Sequence, residues 1–573
     1  MKYDIEVPVL IVGGGPVGLT LAMELQHQGI EALLCERNPA TTSHPKMDIT
    51  NGRSMELFRR LGYSQEIRSH AIPEENPFSV IWATSLAGGE LARFDYPTVK
   101  QCWQKIKDDS TGTLSSEPYM RVSQVIVEPV LKGILERDAS LVKVRFGFKL
   151  EHFEQDDDGV TALLTEVKTG KEIVVRSKFL VGCDGGGSRV RRGLGIGLDK
   201  ISVLELLNNA DGVGANLKHA FKNLFRGKLP LDGRVYIVHF KSRDKKLLDK
   251  FGVAWHLQTP QGATLIGQDD VDTYTLHMPL EMNQNPEKID PKAFLFKALG
   301  MEFDAEVLVS NHWQPQLGLA DSYGKGRVWL AGDSAHQYIP TGGYGMNTGV
   351  GDAVGLGWTL ASILNGWGGE ALLTAYQDER RTTGARNRQA SKRHMGVRIK
   401  ISQQDNNLMH RNSAGGEQAR EKIGQNITQL GNLENEAWGI ELGYRYATSP
   451  AICHEEGSEP PSSWENYVPS TWPGARPPSV WVNDDTALFD LFDSKGFTLI
   501  RFNEVDVSKL EKAAAMVGLP LKVVNVKDKR VHLLYERDLV LIRPDQHVAW
   551  RGNSLPEDVE SIVNKVRGVA IPA

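Results

Sequence analysis

The 573-residue chain has only four cysteines, Cys35, Cys102, Cys183 and Cys453, and no C-x-x-C pair. Their wide spacing argues against a disulfide framework or a zinc site and suits buried, inert thiols in a reducing cytoplasm. Long apolar runs are also missing: none approaches the ~20 residues of a membrane span. The first run, Val7–Val12, is six residues long and follows Asp4 and Glu6; it is needed as a strand, so no signal peptide is expected. No basic tract interleaved with aromatics occurs, and the net charge is −5, which argues against a nucleic-acid partner. The acidic run Asp156-Asp157-Asp158-Gly159 lies between two strand-like segments and reads as a solvated hairpin turn, not a metal site. Internal repeats are absent.

Glycine, by contrast, is plentiful. Its 57 residues are a tenth of the chain, against a typical ~7%, and they cluster at predicted turns. The first cluster lies in Val7–Arg37, VPVLIVGGGPVGLTLAMELQHQGIEALLCER. It reads as strand, glycine turn, helix, turn, strand and acid. Gly13 permits the tight turn, Gly15 lets a pyrophosphate approach the backbone, and Gly18 allows close helix–sheet packing. Pro16 falls at the first helical position, and the helix N-terminus offers free N–H groups to phosphates. Glu36, eighteen residues beyond Gly18, falls where a carboxylate accepts bonds from ribose hydroxyls. An adenine dinucleotide is the expected ligand.

At this length two to four domains are expected. A helix is predicted over Arg53–Leu61 and another over Gln124–Arg137, with Pro129 near its first turn. Residues 75–115 read as irregular apart from a strand-like piece at Val80–Ala83. Strand patterns recur at Val142–Phe146, Ala162–Thr165 and Ile173–Val175. Phe179–Val181 leads into Cys183-Asp184-Gly185, and Val328–Leu330 leads into Gly332-Asp333. Both are apolar strands ending in acid and glycine. Runs at Val235–Phe240, Val253–Leu257 and Tyr274–Met278 suggest an antiparallel sheet. After the loop Tyr338–Asn347, a helix over about Asn347–Leu364 is apolar nearly all round and should be buried. Residues 371–445 look helical, and the Pro/Ser/Gly-rich stretch 455–480 is the best linker. Beyond it, Phe497–Arg501, Leu521–Val524 and Leu539–Arg543 alternate with the helical Lys509–Met516.

Three motifs in this order (the dinucleotide turn, Cys183-Asp184-Gly185 and Ala331-Gly332-Asp333) resemble the class A flavoprotein aromatic hydroxylases, in particular the phenol hydroxylase branch. The likeness runs along almost the whole chain and includes Arg543-Pro544-Asp545-Gln546 near its end. It implies an α/β fold: a Rossmann-type FAD-binding domain (1–75, 116–198 and 312–400), an interleaved antiparallel-sheet substrate domain (76–115 and 199–311), a helical region and linker (401–470), and a C-terminal thioredoxin-like domain (471–573). No cysteine follows Cys453, so that last domain lacks dithiol chemistry and is left a packing or dimer-contact role.

The resemblance implies FAD as cofactor, NADPH or NADH as co-substrate, O2, and hydroxylation of a phenolic or related aromatic compound through a C4a-hydroperoxyflavin. A second G-x-G-x-x-G is missing, which agrees with transient binding of the nicotinamide nucleotide. A soluble homodimer is expected. Asp333 would bind the ribityl chain, Glu36 and Arg37 the adenosine end, and Arg121 and Gln124 the pyrophosphate and ribityl. Asp184 belongs to the segment shared by FAD and the nicotinamide nucleotide, with a helix N-cap as the alternative reading for it and for Asp333. Pro340, Gly345, Met346 and Asn347 would lie against the isoalloxazine, whose reduced, anionic edge the helix N-terminus would stabilise. The implied base is Asp48, five residues before Arg53-Ser54-Met55-Glu56. An ordinary carboxylate (pKa ~3.9) is a weak base for a phenol (~10) and would act as a desolvated hydrogen-bond acceptor. The chain departs from the commoner pattern at Lys46, where many relatives carry arginine. Tyr236 and Tyr274 are the candidates for a substrate-binding tyrosine, with ordinary strand aromatics as the alternative. A reductase or halogenase on the same scaffold, or a flavin-binding protein without turnover, are the rival functions. A halogenase would carry W-x-W-x-I-P, which is absent.

Overall fold

A computed structural model of the chain describes residues 3–201, 233–281, 284–405 and 407–569. Part of the 199–311 assignment therefore lies outside the described residues.

The apolar runs read as strands pair into a parallel ladder in the order Val328–Leu330, Glu172–Gly182, Ile5–Val12, Ala32–Glu36 and Val142–Phe146. Parallel strands need both faces covered. Helices Pro16–His27 and Tyr344–Leu364 pack against each other, and Leu19, Leu21, Val350, Val354 and Leu360 are buried in one core with the strands. This arrangement puts the ends of three neighbouring strands side by side. Val12 runs into Gly13, Gly182 into Cys183-Asp184, and Leu330 into Ala331-Gly332-Asp333. In open parallel sheets ligands bind at these carboxyl ends, so the three motifs, far apart in sequence, share one edge.

A second sheet of seven strands joins Phe78–Ala83 and Glu90–Tyr96 to five strands between Val235 and Trp313. It meets the loop around Asp48 through Trp255 and His256, and Arg121 through Asp270. The stretch 75–115 is more ordered than its composition suggests, for it also holds a helix, Val99–Asp108, with a Thr98/Gln101 capping box. The buried helix begins at Tyr344, three residues earlier than predicted. Pro129 lies in the second turn of helix Gln124–Asp138, not near its start.

The C-terminal unit has four strands in the order Leu521–Asn525, Phe497–Arg501, Leu539–Ile542 and Val548–Gly552, the first pair parallel and the others antiparallel. Helices Ser508–Met516 and Val559–Val566 complete the thioredoxin-like unit. The end of the predicted linker is not a flexible tether. Residues 474–480 are buried, and Arg476 forms a fully buried ion pair with Glu56 of helix Gly52–Arg60.

Candidate active site

The dinucleotide turn has the geometry that its glycines imply. Gly13 has φ +115°, and a Cβ there would lie 2.2 Å from Cys183 O; a Cβ on Gly18 would lie 2.0 Å from Gly13 O. Neither position tolerates a side chain. Gly15 is different, because its Cβ would meet only Glu128 Oε1 at 3.9 Å. Helix Pro16–His27 has no side-chain cap, so its first N–H groups are open toward that space. Glu128 stands beside it with its carboxyl pushed up by burial, against bonds from the Thr42 N–H and the Gln124 amide. Glu36 closes the next strand and accepts from the N–H groups of Gly14 (2.8 Å) and Asn38 (2.9 Å). Arg37 is exposed beyond it.

Asp333 stands just past the end of its strand and is exposed. Its carboxylate has no hydrogen bond to any described residue, and desolvation by the surrounding protein pushes it up, opposed by nearby His336 and Lys46. The turn that carries it is held by a residue the sequence pattern hid. Asp352 lies fully buried within the apolar helix, accepts from Gly332 N (2.9 Å) and His336 Nε2 (2.8 Å), and is bound by Arg380 Nε (2.8 Å). Burial raises the Asp352 carboxyl, but Arg380, His336 and the Gly332 N–H together hold it below the ordinary range. A lone acid in an otherwise apolar helix was the signal for such a partner.

Asp184 meets the start of the short helix Arg189–Gly193, whose N-cap is Ser188, taking bonds from the Ser188 hydroxyl (2.5 Å) and the N–H groups of Arg189 (2.6 Å) and Val190 (3.1 Å). Arg191 links this segment to the Gly332 turn through Ser334 O (2.7 Å). Arg121 does not reach toward the phosphate cradle. Its buried guanidinium is spent on Asp270 (2.7 and 3.0 Å) and Gly267 O (2.8 Å). Gln124 binds Glu128 (2.6 Å).

The cradle at Gly15, the open N–H groups and the unpartnered Asp333 carboxylate fit a dinucleotide with a ribityl chain, as FAD has. Pro340 and Asn347, with Gly342 and Gly343, face a cavity of about 340 Å³ that also reaches Asp48; Gly345 and Met346 are half-buried at the start of the same helix. Asn347 is the clasp here. Its Oδ1 accepts from Asn51 N (3.0 Å) and the Ser54 hydroxyl (2.7 Å), while its Nδ2 donates to Gly343 O (2.8 Å) and Ile49 O (3.2 Å). The Asp48 loop is thereby fixed to the helix N-terminus on one side. On the other it pairs with Met120–Arg121 through Ile49–Thr50, and Val122 N donates to Asp48 O (3.0 Å).

Asp48 meets two groups from the second sheet. Trp255 Nε1 donates to Oδ2, and His256 Nε2 stands 3.6 Å from the same oxygen. Burial raises the Asp48 carboxyl, yet the neighbouring His256 ring, the bond from Trp255 and the charge of Arg121 hold it below the ordinary range. It is therefore an ionised acceptor. The wall around it is aromatic: Phe78 packs on Tyr119 (centroids 4.4 Å apart) and on Trp255 (4.5 Å). The predicted tyrosines are elsewhere. Tyr236 and Tyr274 belong to the second sheet's own hydrophobic core, against Phe294 and Phe240, because strand alternation turns them to the far face. Tyr96 and Tyr119 line the cavity in their place. They, Trp255 and His256 carry no spacing that sequence reading could have used.

Known proteins agree with this geometry. The FAD-binding-domain family matches residues 6–206 and 205–391, and the C-terminal aromatic-ring hydroxylase family matches 470–570. The FAD-dependent monooxygenase apdD of Emericella nidulans is 35% identical over 98% of this chain and 90% of its own length. This chain belongs to the FAD-dependent aromatic-ring hydroxylases. The hydroxylase is also 30% identical to a 4-methyl-5-nitrocatechol 5-monooxygenase of Burkholderia sp., over 97% of this chain and 96% of that one. Among solved structures it resembles the flavin-dependent monooxygenase PieE in complex with FAD and substrate, with a TM-score of 0.84 and 26% identity over 99% and 100% of the two chains. It is thus an FAD-dependent monooxygenase acting on aromatic substrates, with the α/β architecture of that family.

Proposed function

We propose that this hydroxylase oxidises NADPH or NADH and uses O2 to hydroxylate a phenolic ring held in the cavity beside Asp48. When bound, FAD supplies the redox chemistry that activates oxygen. The chain's own residues supply the rest. Phe78, Tyr119 and Trp255 give the ring an apolar seat and exclude water from it. Asp48 accepts a hydrogen bond from the phenolic O–H, draws its proton away and pushes electron density toward the ortho or para carbon. Trp255 and His256 keep the Asp48 charge in place, so the carboxylate polarises the hydroxyl without having to capture its proton. The helix N-terminus at Tyr344 places N–H groups where negative charge on a reduced flavin would be stabilised.

The observation that carries this reading is the ionised Asp48, held by Trp255 in an aromatic cavity that opens on the glycine loop 342–343. A homodimer in a reducing cytoplasm is the expected setting; the four unpaired cysteines support the compartment. The test is NADPH or NADH oxidation with oxygen uptake by FAD-loaded protein across a panel of phenols. A rate that rises with a phenol and yields a hydroxylated product supports the proposal. Oxidation indifferent to every phenol would return the function to a reductase.

A further inference from the structure

The cavity carries more carboxyl groups than the oxygenation needs, and they are not equivalent. Asp48 is held by Trp255 and His256. Glu434 is clamped by Arg398 (2.6 and 2.9 Å), and Glu436 accepts from the Tyr96 hydroxyl (2.8 Å). Glu441 lines the same cavity, but its carboxyl has no hydrogen bond or ion pair with any described residue. It ends a short helix, Trp438–Glu441, whose Ala437 and Ile440 pack into an apolar cluster with Tyr344 and Ala390. The nearby cation Arg386 is spent on the carbonyls of Gly439 (2.9 Å) and Ile440 (3.3 Å). Burial alone pushes the Glu441 carboxyl up to about 8. A carboxyl without a counter-cation in an apolar wall keeps its proton, and a protonated carboxyl is a hydrogen-bond donor.

We propose that Glu441 selects the substrate: its carboxyl donates a hydrogen bond to a carbonyl oxygen on the aromatic compound, so that acyl-bearing hydroxyarenes are preferred over plain ones. The inference rests on the monooxygenase reading and adds a second recognition point to it. Asp48 can only accept and so takes the hydroxyl; Glu441 donates and so takes the acceptor. One substrate satisfies both by carrying a donor and an acceptor on the same ring system.

The experiment measures dissociation constants of phenol and its acetyl derivatives for the FAD-loaded protein, from the change in flavin absorbance on titration. Wild type, Glu441→Gln and Glu441→Leu are compared. The wild type is expected to favour the acetyl compound about tenfold, the scale of one buried hydrogen bond with a charged or strongly polar partner. Glu441→Gln, whose amide still donates, should keep most of that preference, and Glu441→Leu should lose it. Raising the pH through about 8 should ionise Glu441 and erode the wild-type preference more than that of Glu441→Gln, which reports the titration of the phenols themselves. That control also accounts for the other titratable groups facing the site: Tyr344 with His394, Glu434 with Arg398, Glu436 with Tyr96, and Asp48 with His256.

An unchanged preference in Glu441→Leu, or no preference in the wild type, would overturn the inference; so would tighter binding of an aminoalkyl phenol. If Glu441→Leu fails to fold, an equal fall of the preference with pH in wild type and Glu441→Gln overturns it alone. If plain and acetylated phenols are hydroxylated equally well, only this inference falls. If the wild type binds no hydroxyarene at all, the monooxygenase reading falls first.

Discussion

Glu56 and Glu379, at the seam beneath the C-terminal sheet, are each gripped by arginine, whereas Asp48, Asp333 and Glu441, at the cavity and the cofactor cleft, have none as a direct partner. At the seam, Arg476 and Arg53 hold Glu56 while Arg543 binds Glu379 (2.6 and 2.8 Å) and Asp545. Arg53 also donates to Asp545 O and Gln546 Oε1, both at 2.7 Å. Arg60 reaches Pro544 O (2.6 Å). Each of these four arginines is bonded to at least one internal acceptor. At the cavity and cleft Asp48 takes one bond, from Trp255, and the Asp333 and Glu441 carboxyls have no side-chain partner among the described residues. Both sets are costly to remove from water, and the contrast shows where the protein itself provides compensation and where a ligand must. The seam holds the domains together; the cavity is built to be completed.

The largest expected effect tests the seam. Arg476→Ala leaves Glu56 fully buried without its main partner, which should cost about 3–5 kcal/mol of stability, read from denaturant unfolding of the FAD-loaded protein. Replacing both residues with methionine should restore only part of it, since the apolar pair removes the orphaned Glu56 charge but takes from buried Arg53 its Glu56 partner. If Arg476→Ala unfolds like wild type, the seam is no stronger than a surface contact.

The next effect tests the cavity. Trp255→Phe removes one donor to the Asp48 carboxylate, worth about 1.5–3 kcal/mol for a bond to a charged group. That bond lowers the Asp48 pKa, so its loss raises it. The acid limb of the hydroxylation–pH profile should move to higher pH by about one to two units, and an unmoved limb would separate Trp255 from the reaction. The sign for stability follows the same shift. A depressed folded-state carboxylate contributes stability above its unfolded pKa that is lost as pH falls through the folded one, and Trp255→Phe should reduce that contribution. The smallest effect belongs to the exposed Lys46. Lys46→Arg keeps the positive charge near Asp333 and should change stability and flavin retention by no more than about 0.5 kcal/mol. A larger change would mean that the family's usual arginine makes a bond that lysine cannot.

Legibility from the sequence followed the range of the interactions. Gly13, Gly15 and Gly18 could be read because the strand, turn and helix that need them are contiguous. The two later acid-and-glycine turns were legible as motifs, and the parallel ladder explains why they meet Gly13 at one edge. Trp255, His256 and Glu441 were not legible, since which face of a strand meets a loop two hundred residues away depends on non-local pairing. Tyr236 and Tyr274 were misplaced for the same reason. Helix Val99–Asp108 was signalled locally by Thr98-x-x-Gln101 and passed over. The stretch 455–480 has a linker's composition, but its end is fixed by Arg476, whose partner Glu56 lies 420 residues earlier. Likewise Arg53 and Asp545-Gln546, which stood in two separate motifs of the family resemblance, touch each other in the fold.

The proposed role of Asp48, the acceptor that prepares the phenolic ring, is what the remaining chemistry depends on. The direct measurement is the rate of hydroxylated product formed by FAD-saturated Asp48→Asn relative to wild type, at matched flavin content. Asparagine still accepts from Trp255 but carries no charge, so the rate should fall by about 10²–10⁴ while flavin binding and the unfolding midpoint stay close to wild type. An undiminished rate in Asp48→Asn would contradict the account.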